Sequence, residues 1–167
     1  MKTSRDGILV MHHYESCRLV AYPDPATGGA PWTIGWGHTG PEVVPGLSWT
    51  QEKADEVFVN DLARFEREVS SLVKVPLSQS QFDALVCFAY NVGSDIDADD
   101  KAEGLGDSTL LRMVNSAMFD KAANQFPLWN RAAGAIMRGL TRRRHSERAL
   151  FLGANAGKAI AIGTAAA

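Results

Sequence analysis

Apolar residues recur at steps of three and four along much of this 167-residue chain, which is the spacing of one face of an α-helix. The longest such stripe lies within the region 50–75 and consists of Ala54, Val57, Phe58, Leu62, Phe65, Val69 and Leu72. It predicts one long helix that ends before Pro76, because proline lacks the backbone donor of a helix interior. Ser48 and Gln51 have the spacing of a capping box and place the start of this helix beside them.

Shorter stripes with the same period predict five further helices. They begin near Ser4 or Asp6, Ser78, Ser108, Phe119 and Leu140. Gly93 is expected to end the second of these helices, Pro127 to break the fourth, and the last to run to Leu152. The sequence after that point is rich in alanine and glycine, and we expect residues 156–167 to form a flexible tail.

The helical period is lost between residues 19 and 47, where glycine and proline occur every few positions. Within this stretch the run WTIGW, residues 32–36, has the β-branched and aromatic composition of a strand. Short strands joined by turns are therefore predicted. The fold class that follows is α+β and mainly α, a single domain over 1–167. It has a β-containing region over 15–50 and a helical region over 76–155 that also includes the first helix.

Composition and cysteine content limit the class of protein. A chain of this length can bury a sizeable core without disulfides or metals. Its two cysteines, Cys17 and Cys87, are expected to stay free rather than to pair. No apolar run approaches the ~20 residues that span a bilayer, and the first residues lack the pattern of a secretory signal. We therefore expect a protein that is made in the cytosol and stays soluble.

Charge is distributed unevenly along the chain, although the net charge is only -2. From Arg131 onward the sequence contains seven lysines and arginines and a single acid, Glu147. A basic end of this kind can bind an anionic partner such as a phosphate-rich surface, a nucleic acid or an anionic polymer. The alternative is a solvated helix face, and both interpretations are open at this point.

Candidate catalytic chemistry is concentrated in Glu15, Asp24 and Thr33. Glycoside hydrolysis needs one carboxyl that donates a proton to the leaving oxygen and a second that activates water or stabilises a cation. A helix end followed by turns can bring Glu15 and Asp24 to opposite sides of a cleft, and the Thr33 hydroxyl can hold the water. The same spacing also occurs by chance between unrelated surface carboxylates, so it does not identify the reaction.

The residues around these three form a more specific pattern. Y-P-D at 22–24 is followed by G-G-A-P-W-T-I-G-W-G-H at 28–38. This stretch resembles the catalytic segment of the phage-type lysozymes, the endolysins of glycoside hydrolase family 24, in which a glutamate, an aspartate or cysteine, and a threonine follow one another. Eight residues separate Asp24 from Thr33 where the family pattern has five, so the hairpin is longer here. The extra residues lie within 26–31.

The resemblance covers residues 4–155, nearly the whole chain. LSQSQFDALVCFAYNVG at 77–93 looks like the central buried helix of the family, and STLLRMVN at 108–115 looks like the helix after it. GLTRRRHSERALFLG at 139–153 is similar to the C-terminal segment. A match of this extent implies a two-lobed lysozyme-like fold, in which the long helix joins a small N-terminal β-hairpin lobe to a larger helical lobe and the cleft takes a glycan strand.

The resemblance also implies a function and a set of site residues. The function is that of a muramidase that hydrolyses the β-1,4 bond between N-acetylmuramic acid and N-acetylglucosamine and so lyses the host cell. Glu15 would be the general acid, Asp24 the base or electrostatic partner, and Thr33 the residue that positions the water. The family is described as inverting, which calls for carboxyls about 6.5–9.5 Å apart. Candidates for substrate binding are Trp32, Gly35, His38, Asn91, Thr109 and Arg143.

Each substrate-binding candidate also has a purely structural interpretation. Trp32 can pack in the core of the small lobe, Gly35 can permit a tight strand, and His38 can shape the base of the hairpin by hydrogen bonding. In the family an arginine lies close to the catalytic glutamate, and Arg143 is the best match to it and Arg144 the second. Each of the two can instead pair with Glu147, one helical turn away. Asn91 and Thr109 can cap helices or form hydrogen bonds in the core, which explains their presence as well as substrate binding does.

Two rival functions fit the same sequence. A lytic transglycosylase cleaves the same bond with one glutamate and uses the 6-hydroxyl of the muramoyl group in place of water. Asp24 and Thr33 argue against it, because that reaction needs no positioned water. The second rival is a non-catalytic lysozyme-like module that binds glycans or serves as a structural part of a phage. The intact set of Glu15, Asp24 and Thr33 argues against that function.

The predicted partner is a peptidoglycan glycan strand, with electrostatic contact between the basic C-terminal region and the anionic wall or outer membrane. We expect a monomer with no cofactor, no metal and no nucleic-acid partner. Asp95, Asp97 and Asp99 have the spacing of the first half of a calcium loop, but the sixth position is Asp100 rather than glycine. A solvated loop over 94–107 is the better interpretation. We expect the protein to remain in the host cytoplasm until a holin permeabilises the membrane, and then to reach the cell wall or periplasm.

Overall fold

The computed structural model describes residues 1–23, 28–96 and 103–166. The elements in chain order are α1 (Arg5–Tyr14), β1 (Arg18–Pro23), β2 (Trp32–Gly35), β3 (His38–Thr39), α2 (Gln51–Leu72), α3 (Gln79–Val92), α4 (Thr109–Asn115), α5 (Phe119–Ala123), a 3₁₀ turn (Phe126–Leu128), β4 (Arg131–Ala132), β5 (Ala135–Ile136), α6 (Arg138–Phe151) and α7 (Ala156–Ala165). The predicted class, mainly α with a small antiparallel sheet, is confirmed.

The chain divides into two compact units. The hairpin unit is His12–Arg64, and the helical unit is Met1–Met11 together with Phe65–Ala167. The chain passes from one unit to the other within α1 and again within α2, so no loop marks either boundary in the sequence. No helix in the described residues combines the length and apolar character needed to cross a bilayer.

The hairpin unit is built on the three-stranded antiparallel sheet β1-β2-β3. Tyr22 pairs with Thr33, and Ile34 pairs with His38. Because successive strand residues point to opposite faces, Ile34 lies on the face opposite Thr33, where it is fully buried. The small core of this unit consists of Ala21, Ile34 and Val43, with Trp32, Leu47 and Trp49 packed against it.

The start of α2 differs from the prediction. Ser48 does not cap this helix, because it forms a bridge with Val20 of β1, and the Trp49 amide donates to the carbonyl of Leu19. The chain is thus still extended at the position where the capping-box spacing placed the helix start. The helix begins at Gln51, and the hydroxyl of Thr50 accepts from the amide of Lys53, which is the N-capping interaction.

The helical unit is centred on α3, in which every residue from Phe82 to Ala89 is buried. Its start is the predicted one. Ser78 and Gln81 form a complete capping box, each side chain accepting from the backbone amide of the other residue. Gly93 ends the helix as predicted, with a φ of 98° that favours glycine. Ser108 caps α4 in the same manner, accepting from the amide of Leu111.

Buried carboxylates tie the N-terminal segment to the rest of the helical unit. Asp83 of α3 accepts from the amide and the hydroxyl of Ser4, the residue before α1. Glu66 accepts from the amide of Thr3 and pairs with Lys2. Glu66 and Asp83 are 5% and 1% exposed, so these polar contacts replace the water that each carboxylate loses.

Two predictions about the C-terminal third are corrected, and one hairpin there was not predicted. Residues 156–165 form α7 rather than a flexible tail: Asn155 caps this helix, accepting from the amide of Lys158, and its alanine and glycine face is buried. The Ser146 hydroxyl of α6 donates to the Ala159 carbonyl. The helix expected over 119–126 ends at Ala123 and is followed by the separate 3₁₀ turn. The hairpin of β4 and β5 was not predicted from the sequence.

Candidate active site

Glu15, the predicted general acid, is the first residue after α1 and is half-buried. Gly37, in the turn between β2 and β3, lies against its carboxyl group. A Cβ atom at Gly37 would lie 3.2 Å from Oε2 of Glu15, and the φ of this glycine is 91°. Both observations explain why glycine occupies this position: the backbone approaches the carboxyl closely in a conformation that L side chains rarely adopt.

The turn that carries Gly37 is fixed by its neighbour Trp36. The indole of Trp36 stacks on the His12 ring, with ring centroids 3.9 Å apart and planes within 7°. Its Nε1 donates to Asp55 Oδ1 at 2.7 Å. Burial lowers the pKa of His12, and the nearby Asp55 carboxylate only partly opposes this. His12 is therefore neutral at pH 7 and serves as a packing partner, while its neighbour His13 is exposed.

Thr33 and Tyr22 form a hydrogen-bonded pair beside Glu15. The two residues face each other across β1 and β2, and their side-chain hydroxyls are bonded. The Arg18 guanidinium lies 4.4 Å from the centroid of the Tyr22 ring. Burial raises the pKa of Tyr22; Arg18 and the Thr33 hydroxyl lower it, and the negative charge of Glu15 raises it. The charge of the predicted acid thus acts on the phenol that pairs with the predicted water-positioning threonine.

Asp24, the predicted base, lies outside the described residues. β1 ends at Pro23, immediately before it. The extra residues predicted within 26–31 fall partly in the same gap. The roles of Asp24 and of the longer hairpin therefore stay predictions.

The other candidates of the hairpin unit support its fold. Trp32 is half-buried against the small core, as its structural interpretation predicted. A Cβ at Gly35, where φ is 63°, would lie 3.1 Å from the Trp49 ring, so this glycine allows close packing of a core residue. His38 bonds Asp61 Oδ2 through Nδ1 at 2.7 Å and Glu42 Oε1 through Nε2 at 2.6 Å. Burial lowers the pKa of His38, but the two carboxylates outweigh it and raise the pKa above the ordinary value.

Arg143 is buried in α6 and pairs with Glu147, as the structural interpretation predicted. It is 4% exposed, its Nε lies 3.1 Å from Glu147 Oε1, and its Nη2 donates to the carbonyl of Cys87. Arg144 is fully buried and pairs with the other oxygen of Glu147 at 3.1 Å. A guanidinium with so little exposed surface contacts protein atoms, so the predicted direct contact of Arg143 with substrate finds no support here.

Asn91 and Thr109 are both hydrogen-bonded to arginines. Asn91 Oδ1 accepts from Nη2 of Arg144 at 2.6 Å, and Thr109 Oγ1 accepts from Nη2 of Arg112. Asn91 is exposed at the end of α3 and lines a cavity of about 400 Å³. The other lining residues are Val92, Leu128, Trp129, Arg131 and Leu140. Thr109 is not among the residues that line this cavity.

Sequence reasoning missed three residues of these sites. Tyr22 stands in the Y-P-D motif, and its position opposite Thr33 follows only from the strand register. Trp129 and Arg131 border the 400 Å³ cavity, and Trp129 packs edge-on against Phe88 with centroids 5.2 Å apart. The short helix predicted from Phe119 lies before this region, and no element was predicted for the residues of the β4-β5 hairpin.

The acidic loop lies partly outside the described residues, and both cysteines lie within them. Asp97 and Asp99 of the predicted loop lie outside them, and Asp95 accepts from the amides of Glu103 and Gly104. In residues 1–23, 28–96 and 103–166 no cluster of histidine, cysteine and carboxylate side chains suits a metal ion. Both cysteines are free, as predicted. Burial raises the pKa of the Cys87 thiol well above its usual range, so this thiol stays protonated.

Comparison with known proteins places this chain among lysozymes. The family model described as phage lysozyme matches residues 12–147. The endolysin of Salmonella phage P22 is 41% identical over 156 residues, which cover 91% of this chain and 99% of the P22 protein. The endolysin of Bacillus phage B103 is 42% identical over 152 residues, or 91% of this chain, which spans only 54% of the B103 protein.

A solved structure extends the likeness to the fold. The muramidase domain of SpmX from Asticaccaulis excentricus superposes with a TM-score of 0.77 at 36% identity, covering 92% of this chain and 99% of that domain. The matched range, the identities and the structural agreement lead to one conclusion. The chain belongs to the phage lysozyme family.

Proposed function

We propose that this protein is a muramidase of the endolysin type, which hydrolyses the β-1,4 bond between N-acetylmuramic acid and N-acetylglucosamine in peptidoglycan. The observation that carries the proposal is the close approach of the Gly37 turn to the Glu15 carboxyl, together with the pairing of Tyr22 with Thr33 across β1 and β2. Membership of a family whose relatives are named endolysin and muramidase supports the same activity.

The proposed reaction is a single displacement by water. The Glu15 carboxyl gives its proton to the glycosidic oxygen while the bond from the anomeric carbon of N-acetylmuramic acid to that oxygen breaks. Water attacks the anomeric carbon from the opposite face and gives a proton to the Asp24 carboxylate. Thr33 holds this water through its hydroxyl. The products are a reducing N-acetylmuramic acid end and a free hydroxyl on N-acetylglucosamine.

The fold supports a fixed position for the acid. The Glu15 carboxyl has the backbone of Gly37 on one side, and Gly37 is held by the stacked ring of Trp36 and its bond to Asp55. A carboxyl that must transfer a proton at one stage of the reaction benefits from such support, because a displacement of about 1 Å costs orders of magnitude in rate.

We infer that the cavity of the helical unit contacts the glycan strand or its peptide stem. Its walls combine the indole of Trp129 and the aliphatic side chains of Leu128 and Leu140 with two polar groups, Asn91 and Arg131. An aromatic face suits the apolar face of a sugar, and a guanidinium suits a carboxylate. Trp32, Gly35 and His38 contribute through the shape of the hairpin, and Arg143 through its support of α6.

Mass spectrometry of the sugar ends released from purified peptidoglycan tests the reaction. Wild type is expected to release reducing N-acetylmuramic acid ends, and Glu15→Gln is expected to release none. Glu56→Gln is the matched control, since Glu56 is an exposed carboxylate of the same unit that pairs with Lys53. Anhydro-muramic ends from the wild type would identify a lytic transglycosylase, and no cleavage would identify a glycan-binding module.

Access to the substrate and binding to its surface are proposed as well. The protein would reach the wall or periplasm from the host cytoplasm after a holin permeabilises the membrane, and would act there as a monomer, without nucleic acid. Contact with the anionic wall or outer membrane would use the basic C-terminal region. Arg143 and Arg144 are buried, so the cations left for this surface are Arg131, Arg138, Arg142, Arg148 and Lys158.

Charge reversal tests the role of this basic surface. Replacing the exposed Arg138 and Lys158 by glutamate should release the protein from sedimented walls at low salt, where the attraction between exposed charges is least screened. Reversal of Lys53 and Lys74, exposed cations elsewhere in the chain, serves as the control. Equal binding of the two variants would contradict the proposal.

A further inference from the structure

We propose that Tyr22 is a positioning residue for the nucleophilic water: its phenolic oxygen accepts the proton of the Thr33 hydroxyl, so that the lone pairs of Thr33 Oγ1 face the water. This inference rests on the muramidase activity proposed above. It adds a residue to the site and assigns a direction to one hydrogen bond within it.

Strand register brings the two hydroxyls together. Tyr22 of β1 and Thr33 of β2 are direct partners in the antiparallel sheet, so their side chains lie on the same face, with Cβ atoms about 4.5–5.5 Å apart. Their hydroxyls are hydrogen-bonded. A bulge lies between Arg18 and Tyr22 in β1, which leaves the tyrosine end of the strand in register with Thr33.

The chemistry of the attacking water determines the direction of the bond. A water oxygen that attacks carbon needs a lone pair directed at that carbon, so both of its protons are best donated to the protein. One proton goes to a carboxylate, Asp24 in the proposed reaction, and the other must be accepted by Thr33. A threonine hydroxyl has one proton and two lone pairs. When it accepts from water, its own proton needs a different acceptor, and Tyr22 is the bonded neighbour that offers one.

The surroundings of Tyr22 keep it suited to this role. The Arg18 guanidinium stacks 4.4 Å from the ring centroid and holds the ring in place by a cation-π contact. Burial and the charge of Glu15 raise the pKa of the phenol in spite of Arg18 and Thr33. The phenol therefore remains neutral over the pH range of a lysozyme assay, and its oxygen keeps the same hydrogen-bonding pattern throughout that range.

A double-mutant cycle with steady-state kinetics tests the proposal. Tyr22→Phe retains the ring and its contact with Arg18 but removes the acceptor oxygen, and we expect kcat to fall about three- to tenfold with KM within about twofold. Thr33→Val should lower kcat further. In the Thr33→Val background Tyr22→Phe should have no additional effect, because the bond it breaks no longer exists. Tyr90→Phe, in the helical unit, is the control and should leave kcat unchanged.

Several outcomes would overturn the inference. They are an unchanged kcat in Tyr22→Phe, a raised KM with unchanged kcat, which indicates substrate contact, and additive losses in the double mutant. Each of these leaves the muramidase activity of the wild type intact. Absence of reducing N-acetylmuramic acid ends with the wild type would overturn the proposed function itself and this inference with it.

A measurement on the wild-type protein covers the case in which Tyr22→Phe does not fold. The hydroxyl proton of Thr33, when donated to Tyr22, exchanges slowly with water and lies close to the tyrosine ring. We expect an NMR signal for this proton with a cross-peak to the ring protons of Tyr22. Rapid exchange of the Thr33 hydroxyl proton together with absence of the cross-peak would overturn the inference without any substitution.

Discussion

The two units of the chain each contain a three-member charge network, and the networks are opposite in composition. In the hairpin unit one cation, His38, lies between two carboxylates, Asp61 and Glu42, at a partly exposed position. In the helical unit one carboxylate, Glu147, lies between two guanidiniums, Arg143 and Arg144, and all three are buried.

The difference determines how each unit responds to solution conditions. Arginine stays protonated at all accessible pH values, so the network of the helical unit keeps its two positive charges and depends on Glu147 to compensate them. Histidine titrates near neutral pH, so the network of the hairpin unit is at full strength only while His38 is protonated. One network is permanent and sensitive to mutation, and the other is conditional and sensitive to pH.

Removal of the central carboxylate should give the largest effect. Glu147→Gln removes the buried carboxylate that pairs with both guanidiniums, and we expect the free energy of unfolding to fall by about 3–5 kcal/mol in urea denaturation. Glu56→Gln, which breaks the exposed pair with Lys53, should change it by less than about 1 kcal/mol. A loss of similar size in both variants would contradict the contrast between buried and exposed networks.

A pH titration of stability should single out the hairpin network. The folded pKa of His38 lies above its unfolded value, so its contribution to stability is fully present below pH ~6.5 and is lost as the pH rises through the folded pKa. Solvent screens these pairs at their partly exposed position, so we expect a contribution of about 1–2 kcal/mol. We expect urea unfolding to show this decline between neutral and alkaline pH in the wild type.

The matched variant for the titration is Asp61→Asn, which removes the carboxylate bonded to Nδ1 of His38. It should be less stable than the wild type at pH 5 and should show a weaker decline as the pH rises. If the pH dependence of the variant equals that of the wild type, His38 is not its origin.

The turn at Gly37, which lies against the Glu15 carboxyl, is a second feature of the hairpin unit. Gly37→Ala inserts a methyl group 3.2 Å from the Glu15 carboxyl at a φ of 91°. We expect stability to fall by about 1–2 kcal/mol and kcat to fall about tenfold. Gly46→Ala, at a φ of 83° with no atom within 4 Å of the new methyl group, isolates the backbone cost and should leave kcat unchanged.

The smallest effect concerns the end of the helical unit. Asn155→Ala removes the cap of α7, and we expect a loss of about 1 kcal/mol in the free energy of unfolding. Asn60→Ala, at an exposed position within α2, is the control and should change stability by about 0.5 kcal/mol or less. A frayed C-terminal segment would make the two variants indistinguishable.

Predictions that depend on residues close in sequence were correct, and those that depend on residues distant in sequence were wrong. Ser78 and Gln81 form their capping box because both partners lie within one helical turn. Ser48 and Gln51 have similar spacing, but pairing of Ser48 with Val20, far away in sequence, prevents the box. The C-terminal segment was expected to be flexible because its alanines and glycines have little apolar area to bury. In the structure this small area is buried, and α6 contacts the segment through the bond from Ser146 to Ala159, so that α7 forms.

The sequence alone determined the helical periods and several helix ends, because these depend on residue type and on contacts within a few positions. It also determined Glu15 and Thr33 as candidates, through the resemblance of the segment around them to the catalytic segment of a known family. The tertiary structure decided that Tyr22 faces Thr33, that Gly37 lies against Glu15, and that Arg143 is buried with Glu147. Strand register, the close approach of a turn and helix packing depend on contacts between residues distant in sequence. A sequence by itself does not specify which distant residues come into contact.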